Sequence, residues 1–71
     1  MIWLFERQSE YLRYEARPAK DGLGYELVIT YPGGGELVER FDDSAALSRR
    51  QKDLEKQLSN EGWSGPHGWF A

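Results

Sequence analysis

Three side chains of this sequence have the types needed for nucleophilic catalysis: Ser64, His67 and Asp43. A general base must be held within hydrogen-bond distance of the nucleophile that it activates. His67, the single histidine of the chain, lies between glycine and proline residues, and the sequence around it gives it no fixed position. We therefore interpret His67 as a solvent-exposed side chain, and we predict no catalytic residues and no enzymatic activity.

The adjacent carboxylates of Asp42 and Asp43 form a second group with possible chemistry, because paired carboxylates can bind a metal ion or transfer protons. They directly precede a segment with helical periodicity, where side-chain oxygens accept hydrogen bonds from free backbone N–H groups. We interpret them as a helix cap. Since the chain has no cysteine and one histidine, it also lacks the usual zinc ligands, and we predict no metal and no cofactor.

Arginine and aromatic side chains on a sheet face can bind a phosphate backbone and stack on bases. Strand alternation allows one such face, and its candidate residues are Arg7, Tyr11, Arg13, Arg17 and Arg40. Glu15, Glu26 and Glu36 would share this face, where cross-strand ion pairs are the alternative interpretation. The net charge of −3 disfavours binding to nucleic acid, which is therefore the alternative function.

Four strands and one helix must position these residues. Alternation and a high content of β-branched and aromatic residues predict strands at 1–7, 11–17, 25–31 and 36–41. Asp21-Gly22 and Pro32–Gly35 have the composition of tight turns between strands. The glycine run at 33–35 precedes a strand and has no lysine after it, which argues against a phosphate-binding loop.

The segment from Ala45 to about Glu61 contains no glycine, proline or β-branched residue, as is typical of a helix. Leu47, Leu54 and Leu58 lie on one helical face, and Gly62 follows as a C-cap. We predict an α+β fold: a four-stranded antiparallel β-meander followed by one C-terminal α-helix packed on one sheet face. Residues 1–62 would form a single domain, and residues 63–71 an aromatic C-terminal tail containing glycine and proline.

This order of four strands and then a helix, over residues 1–62, resembles that of the PC4-type single-strand-binding coactivators. The resemblance is in the order of the elements. It implies a homodimer that binds single-stranded nucleic acid.

The chain has more apolar side chains than one helix can cover. In the first strand, Ile2 and Leu4 alternate with Trp3 and Phe5, so one apolar pair must face away from the helix and needs cover. We therefore expect a small non-catalytic interaction module that forms a homodimer or binds another protein. The candidate interface residues are Trp3, Phe5, Trp63, Trp69 and Phe70.

The absence of cysteine fits a reducing compartment. The apolar run at residues 1–5 is too short for the core of a signal peptide or for a membrane span. We expect a cytoplasmic protein without membrane contact.

Overall fold

A computed structural model describes residues 1–69 of the 71, with side chains described as far as His67. In chain order the elements are β1 (Ile2–Arg7), β2 (Glu10–Pro18), β3 (Tyr25–Thr30), β4 (Glu36–Phe41), α1 (Ser44–Asn60) and β5 (Ser64–Trp69). The strands form one antiparallel sheet in the spatial order β4-β3-β2-β1-β5, and α1 packs against one face. The predicted four-strand meander and helix are confirmed.

The fifth strand corrects the prediction of an extended tail. β5 pairs antiparallel with β1, and Leu4 lies opposite His67 in the register. Gly65 and Pro66 are poor strand formers, so the sequence gives no strand signal here. An edge strand nevertheless tolerates proline, because the backbone groups on its outer side have no neighbouring strand to donate to. β1 is therefore an inner strand, flanked by β2 and β5. That position fits the apolar residues at every place from Ile2 to Phe5.

The helix has a cap at each end, as the sequence predicts, and its N-cap is Asp43 rather than the Asp42–Asp43 pair. At its N-terminus the Asp43 carboxylate accepts a hydrogen bond of 2.8 Å from the Ala46 N–H. At its C-terminus Gly62 adopts a φ of +91°, and the Trp63 N–H donates to the Leu58 carbonyl at 3.0 Å. This Schellman arrangement reverses the chain and places Trp63 in the core beside Leu58.

The hydrophobic core lies between α1 and one face of the sheet. Leu47, Leu54 and Leu58 are the buried residues of the helix, as their spacing predicts. The sheet and the segment after the helix add Phe5, Leu12, Tyr14, Leu27, Ile29 and Trp63.

The register of β1 on β2 decides which apolar pair of β1 is buried. Trp3 lies opposite Tyr14, a core residue, so Trp3 and Phe5 face the helix. Ile2 and Leu4 consequently face the open side of the sheet, where both are half-buried.

Tyr14 is at the centre of the core and is fully buried. Its ring stacks on Trp3, with centroids 5.0 Å apart, and on Phe5, with centroids 6.0 Å apart. The Tyr14 hydroxyl donates a hydrogen bond to the Glu55 carboxylate on α1, which gives this buried polar group a partner. Burial, followed by the bond to Glu55 and its negative charge, raises the pKa of Tyr14 well above its ordinary value of 10.0.

Replacement of Tyr14 by phenylalanine should destabilise the fold. Tyr14→Phe removes the hydroxyl and leaves the half-buried Glu55 carboxylate without its donor, so we expect the free energy of unfolding to fall by about 1–3 kcal/mol. Chemical denaturation near neutral pH measures this loss. Tyr31→Phe, at an exposed tyrosine, is the control and should leave stability unchanged. An equal loss for Tyr14→Phe in a Glu55→Ala background would show that the bond to Glu55 is not its cause.

The raised pKa of the Tyr14 hydroxyl leads us to predict a loss of stability at alkaline pH. Because the folded state raises the pKa of Tyr14, its stabilising contribution is complete below pH 10.0, the ordinary pKa, and declines as the pH rises above that value. We expect this contribution to fall by up to about 1.4 kcal/mol per pH unit. Urea denaturation between about pH 9 and pH 11.5 compares the wild type with Tyr14→Phe, which should decline less steeply. Parallel declines in the two proteins would exclude Tyr14 as the titrating group.

The pairing of β5 with β1 can be tested at Gly65. This residue has a φ of +139°, and a Cβ there would lie 2.9 Å from the Leu4 carbonyl oxygen and 3.0 Å from Phe5. We expect Gly65→Ala to lower the free energy of unfolding by about 1–3 kcal/mol through strain and overpacking. Gly33→Ala is the control, since its Cβ would enter open space. Equal stability of the two variants in thermal unfolding would contradict the close contact of β5 with β1.

Candidate functional site

The open face of the sheet, away from α1, carries most of the arginines predicted to bind nucleic acid, and two of them are paired within the chain. The Arg17 Nε donates across the strands to Glu26 at 3.1 Å. The Arg40 Nη2 donates to Asp21 at 2.9 Å. This hydrogen bond lowers the pKa of the Asp21 carboxyl and raises the pKa of Arg40. The cross-strand interpretation of Arg17 is thus confirmed, and both positive charges have carboxylate partners.

Arg7 belongs to the other face, which corrects the predicted set. Its guanidinium carbon lies 4.4 Å from the centroid of the Trp63 ring, and its Nη1 donates to the Glu61 carbonyl at 2.8 Å. On the open face, Tyr11 and Arg13 line a shallow groove of about 310 Å³. Arg13 forms no salt bridge with any of the described residues. A single such cation gives little basis for binding a phosphate backbone.

The aromatic residues predicted at an interface lie mainly inside the molecule. Phe5 and Trp63 are buried, and Trp3 is half-buried and stacked on Tyr14. Their apolar surface is covered by the chain's own helix and strands, so Phe5 and Trp63 are not available to a partner. The side chain of Trp69 and the whole of Phe70 lie outside the described residues.

The groups considered for catalysis are not brought together. Ser64 and His67 lie on β5 at one edge of the sheet, and Asp43 follows β4 at the other edge. Since neighbouring strands are about 4.8 Å apart, four strand steps separate the two edges by about 19 Å. The Ser64 hydroxyl donates instead to the Glu6 carbonyl at 3.2 Å. Among the described residues, no cluster of three or more acidic or histidine side chains could hold a metal ion.

Of the two edges of the sheet, the outer edge of β4 is the better suited to pair with another strand. Within residues 1–69, β4 has a neighbouring strand on one side only. Leu37 and Val38 are 42% and 46% exposed, and they point to opposite faces of this edge. The other edge strand, β5, contains Pro66, which has no N–H to donate, whereas β4 contains no proline.

The hydrogen-bond pattern shows which backbone groups of β4 point outward. The Tyr31 N–H donates to the Gly35 carbonyl at 2.8 Å, and bonded and non-bonded pairs alternate along an antiparallel ladder. The register therefore makes Leu37 and Glu39 the bonded partners of β3. The residues whose N–H and C=O groups point away from the sheet are Glu36, Val38 and Arg40.

A half-buried ion pair holds β4 to the helix. The Glu39 carboxylate accepts two hydrogen bonds from Arg50 on α1, of 2.8 Å and 3.3 Å. The bond to Glu39 raises the pKa of Arg50. A bidentate guanidinium–carboxylate pair restricts the geometry of both groups. The strand that carries the outward backbone groups is thus held against α1 by this ion pair.

No protein-family model, no curated protein and no solved structure matches the chain. In the described part of the chain, no helix combines the length and the apolar character needed to cross a membrane. The function of this chain is therefore inferred from the geometry of the β4 edge.

Proposed function

We propose that this chain is a non-catalytic interaction module that self-associates by pairing β4 with the same strand of a second copy. The observation that carries the proposal is the row of outward backbone groups on β4, flanked by the exposed side chains of Leu37 and Val38. An unpaired strand edge is a template for another strand, and pairing satisfies its polar groups while it covers the adjacent apolar side chains.

A second copy of the chain fits this edge by symmetry. Two identical strands related by a twofold axis perpendicular to the sheet run antiparallel to each other. Pairing of β4 with β4 therefore continues the antiparallel order of the sheet from one copy into the next.

The expected affinity follows from the size of the contact. Two strands of six residues bury less than the roughly 1,200 Å² at the lower end of standard stable interfaces. We therefore expect a reversible, concentration-dependent dimer.

Removal of one outward N–H group tests this function. Val38→Pro deletes a donor that points away from β3, so the fold should persist while the pairing of β4 with a second copy is lost. Val38→Thr keeps the N–H group and the β-branched shape, and should still associate. Sedimentation velocity from about 10 μM to about 1 mM compares the two variants with the wild type, and circular dichroism checks their fold.

Two results would contradict the proposal. One is a wild-type chain that remains monomeric over the whole concentration range. The other is a folded Val38→Pro variant that dimerises as strongly as the wild type.

A further inference from the structure

We infer that Glu36 and Arg40 select the partner strand, because they fix a β4–β4 register with its twofold axis at Val38. This inference rests on the proposed function and specifies the partner: an antiparallel strand that carries the same two charges in the opposite spatial order, which is a second copy of this chain.

The geometry of β4 is self-complementary about Val38. In an antiparallel pair centred there, Val38 faces Val38 of the second copy, and Glu36 faces Arg40 of the second copy on both sides of the axis. These are the residues whose backbone N–H and C=O groups point outward. Each facing pair can therefore exchange two backbone hydrogen bonds, so the register that matches the charges also matches the ladder.

The side chains of these residues lie on the same face of the sheet, since they are spaced by two. An opposite-charge contact would then flank the central valine pair on each side. Arg40 remains able to form it, because its bonds to Asp21 and to the Leu23 carbonyl both use Nη2. The Nε and Nη1 groups carry further N–H donors for Glu36 of the second copy.

Neighbouring registers lack this complementarity. β4 has six residues, Glu36–Phe41, and an axis at Val38 pairs five of them, 36–40, with their counterparts. An axis at Glu39 also pairs five residues, 37–41, but it sets Arg40 against Val38 and gives Glu36 no facing residue within β4, so no ion pair forms across the axis. An axis at Leu37 pairs three residues, 36–38, and sets Glu36 against Val38 with no ion pair.

Charge-reversal variants distinguish these registers. Glu36→Lys sets the introduced lysine against Arg40, and Arg40→Glu sets the introduced glutamate against Glu36, at both flanks of the dimer. We expect each variant alone to dimerise about tenfold or more weakly than the wild type. In an equimolar mixture, one copy of each variant restores opposite charges at both flanks. We expect the mixture to dimerise with close to wild-type affinity.

Sedimentation velocity with one variant carrying a fluorescent label measures the mixed dimer, and circular dichroism confirms that each variant is folded. Arg13→Glu is the matched control, because it changes the net charge as Arg40→Glu does but lies on β2; it should dimerise like the wild type. If the mixture associates no better than its components while Val38→Pro still abolishes dimerisation, β4 pairs in another register and this inference is wrong. If the wild type does not associate, the proposed function fails with it.

Discussion

The hydrogen bond from the Tyr14 hydroxyl to the Glu55 carboxylate determines where α1 sits on the sheet. The leucine face of the helix is attracted to any apolar surface, because hydrophobic burial has no direction. A fully buried hydroxyl, in contrast, must find a partner or lose its hydration without compensation. Tyr14 is held between Trp3 and Phe5, so its hydroxyl has a defined position. A shift of α1 by one turn would replace the Glu55 carboxylate at this hydroxyl with Gln51 or Ser59, and so would lose the charged acceptor. In a small chain without disulfides, such a directional contact selects one packing arrangement.

The position of α1 on the sheet also affects the position of β4. Arg50 lies on the same helix, five positions before Glu55, and its bidentate pair with Glu39 ties the helix to the outer strand. The core contact and the edge contact therefore support each other through one rigid element. This coupling keeps β4 in an extended, regular conformation although it has strand support on one side only within the described chain. A strand that is already ordered loses less conformational entropy on pairing, which favours association through a small contact area.

The sequence predicted the features that depend on nearby residues: the leucine face of α1, the Asp43 cap, the Gly62 terminus and the turns between the first four strands. It did not predict β5, since Gly65 and Pro66 are poor strand formers and only the partner β1 makes that segment a strand. The predicted interface residues are large aromatics, but burial of a large aromatic side chain also stabilises a core strongly, and the core is where Phe5 and Trp63 lie. Glu55 was indistinguishable from its solvated neighbours. The significance of β4 could not be predicted, because an edge is defined by strand order, and strand order depends on contacts distant in sequence.

The two edges of the sheet differ in a way that limits assembly. A sheet with two open edges can add copies at both sides and grow without limit. Here β5 contains Pro66 and two glycines, which make it a poor partner for a further strand. In β4, by contrast, every residue has a backbone N–H group. Because β4 pairs with itself in the proposed dimer, each copy uses its β4 edge once and the assembly closes at two copies.

The charges on β4 would limit which strands can pair with it. An exposed apolar edge without charge would accept many strands, but Glu36 and Arg40 penalise a partner that does not present the opposite charge at each position. In the proposed dimer, closure would therefore follow from the contrast between β4 and β5, and selectivity from the two charged residues of β4.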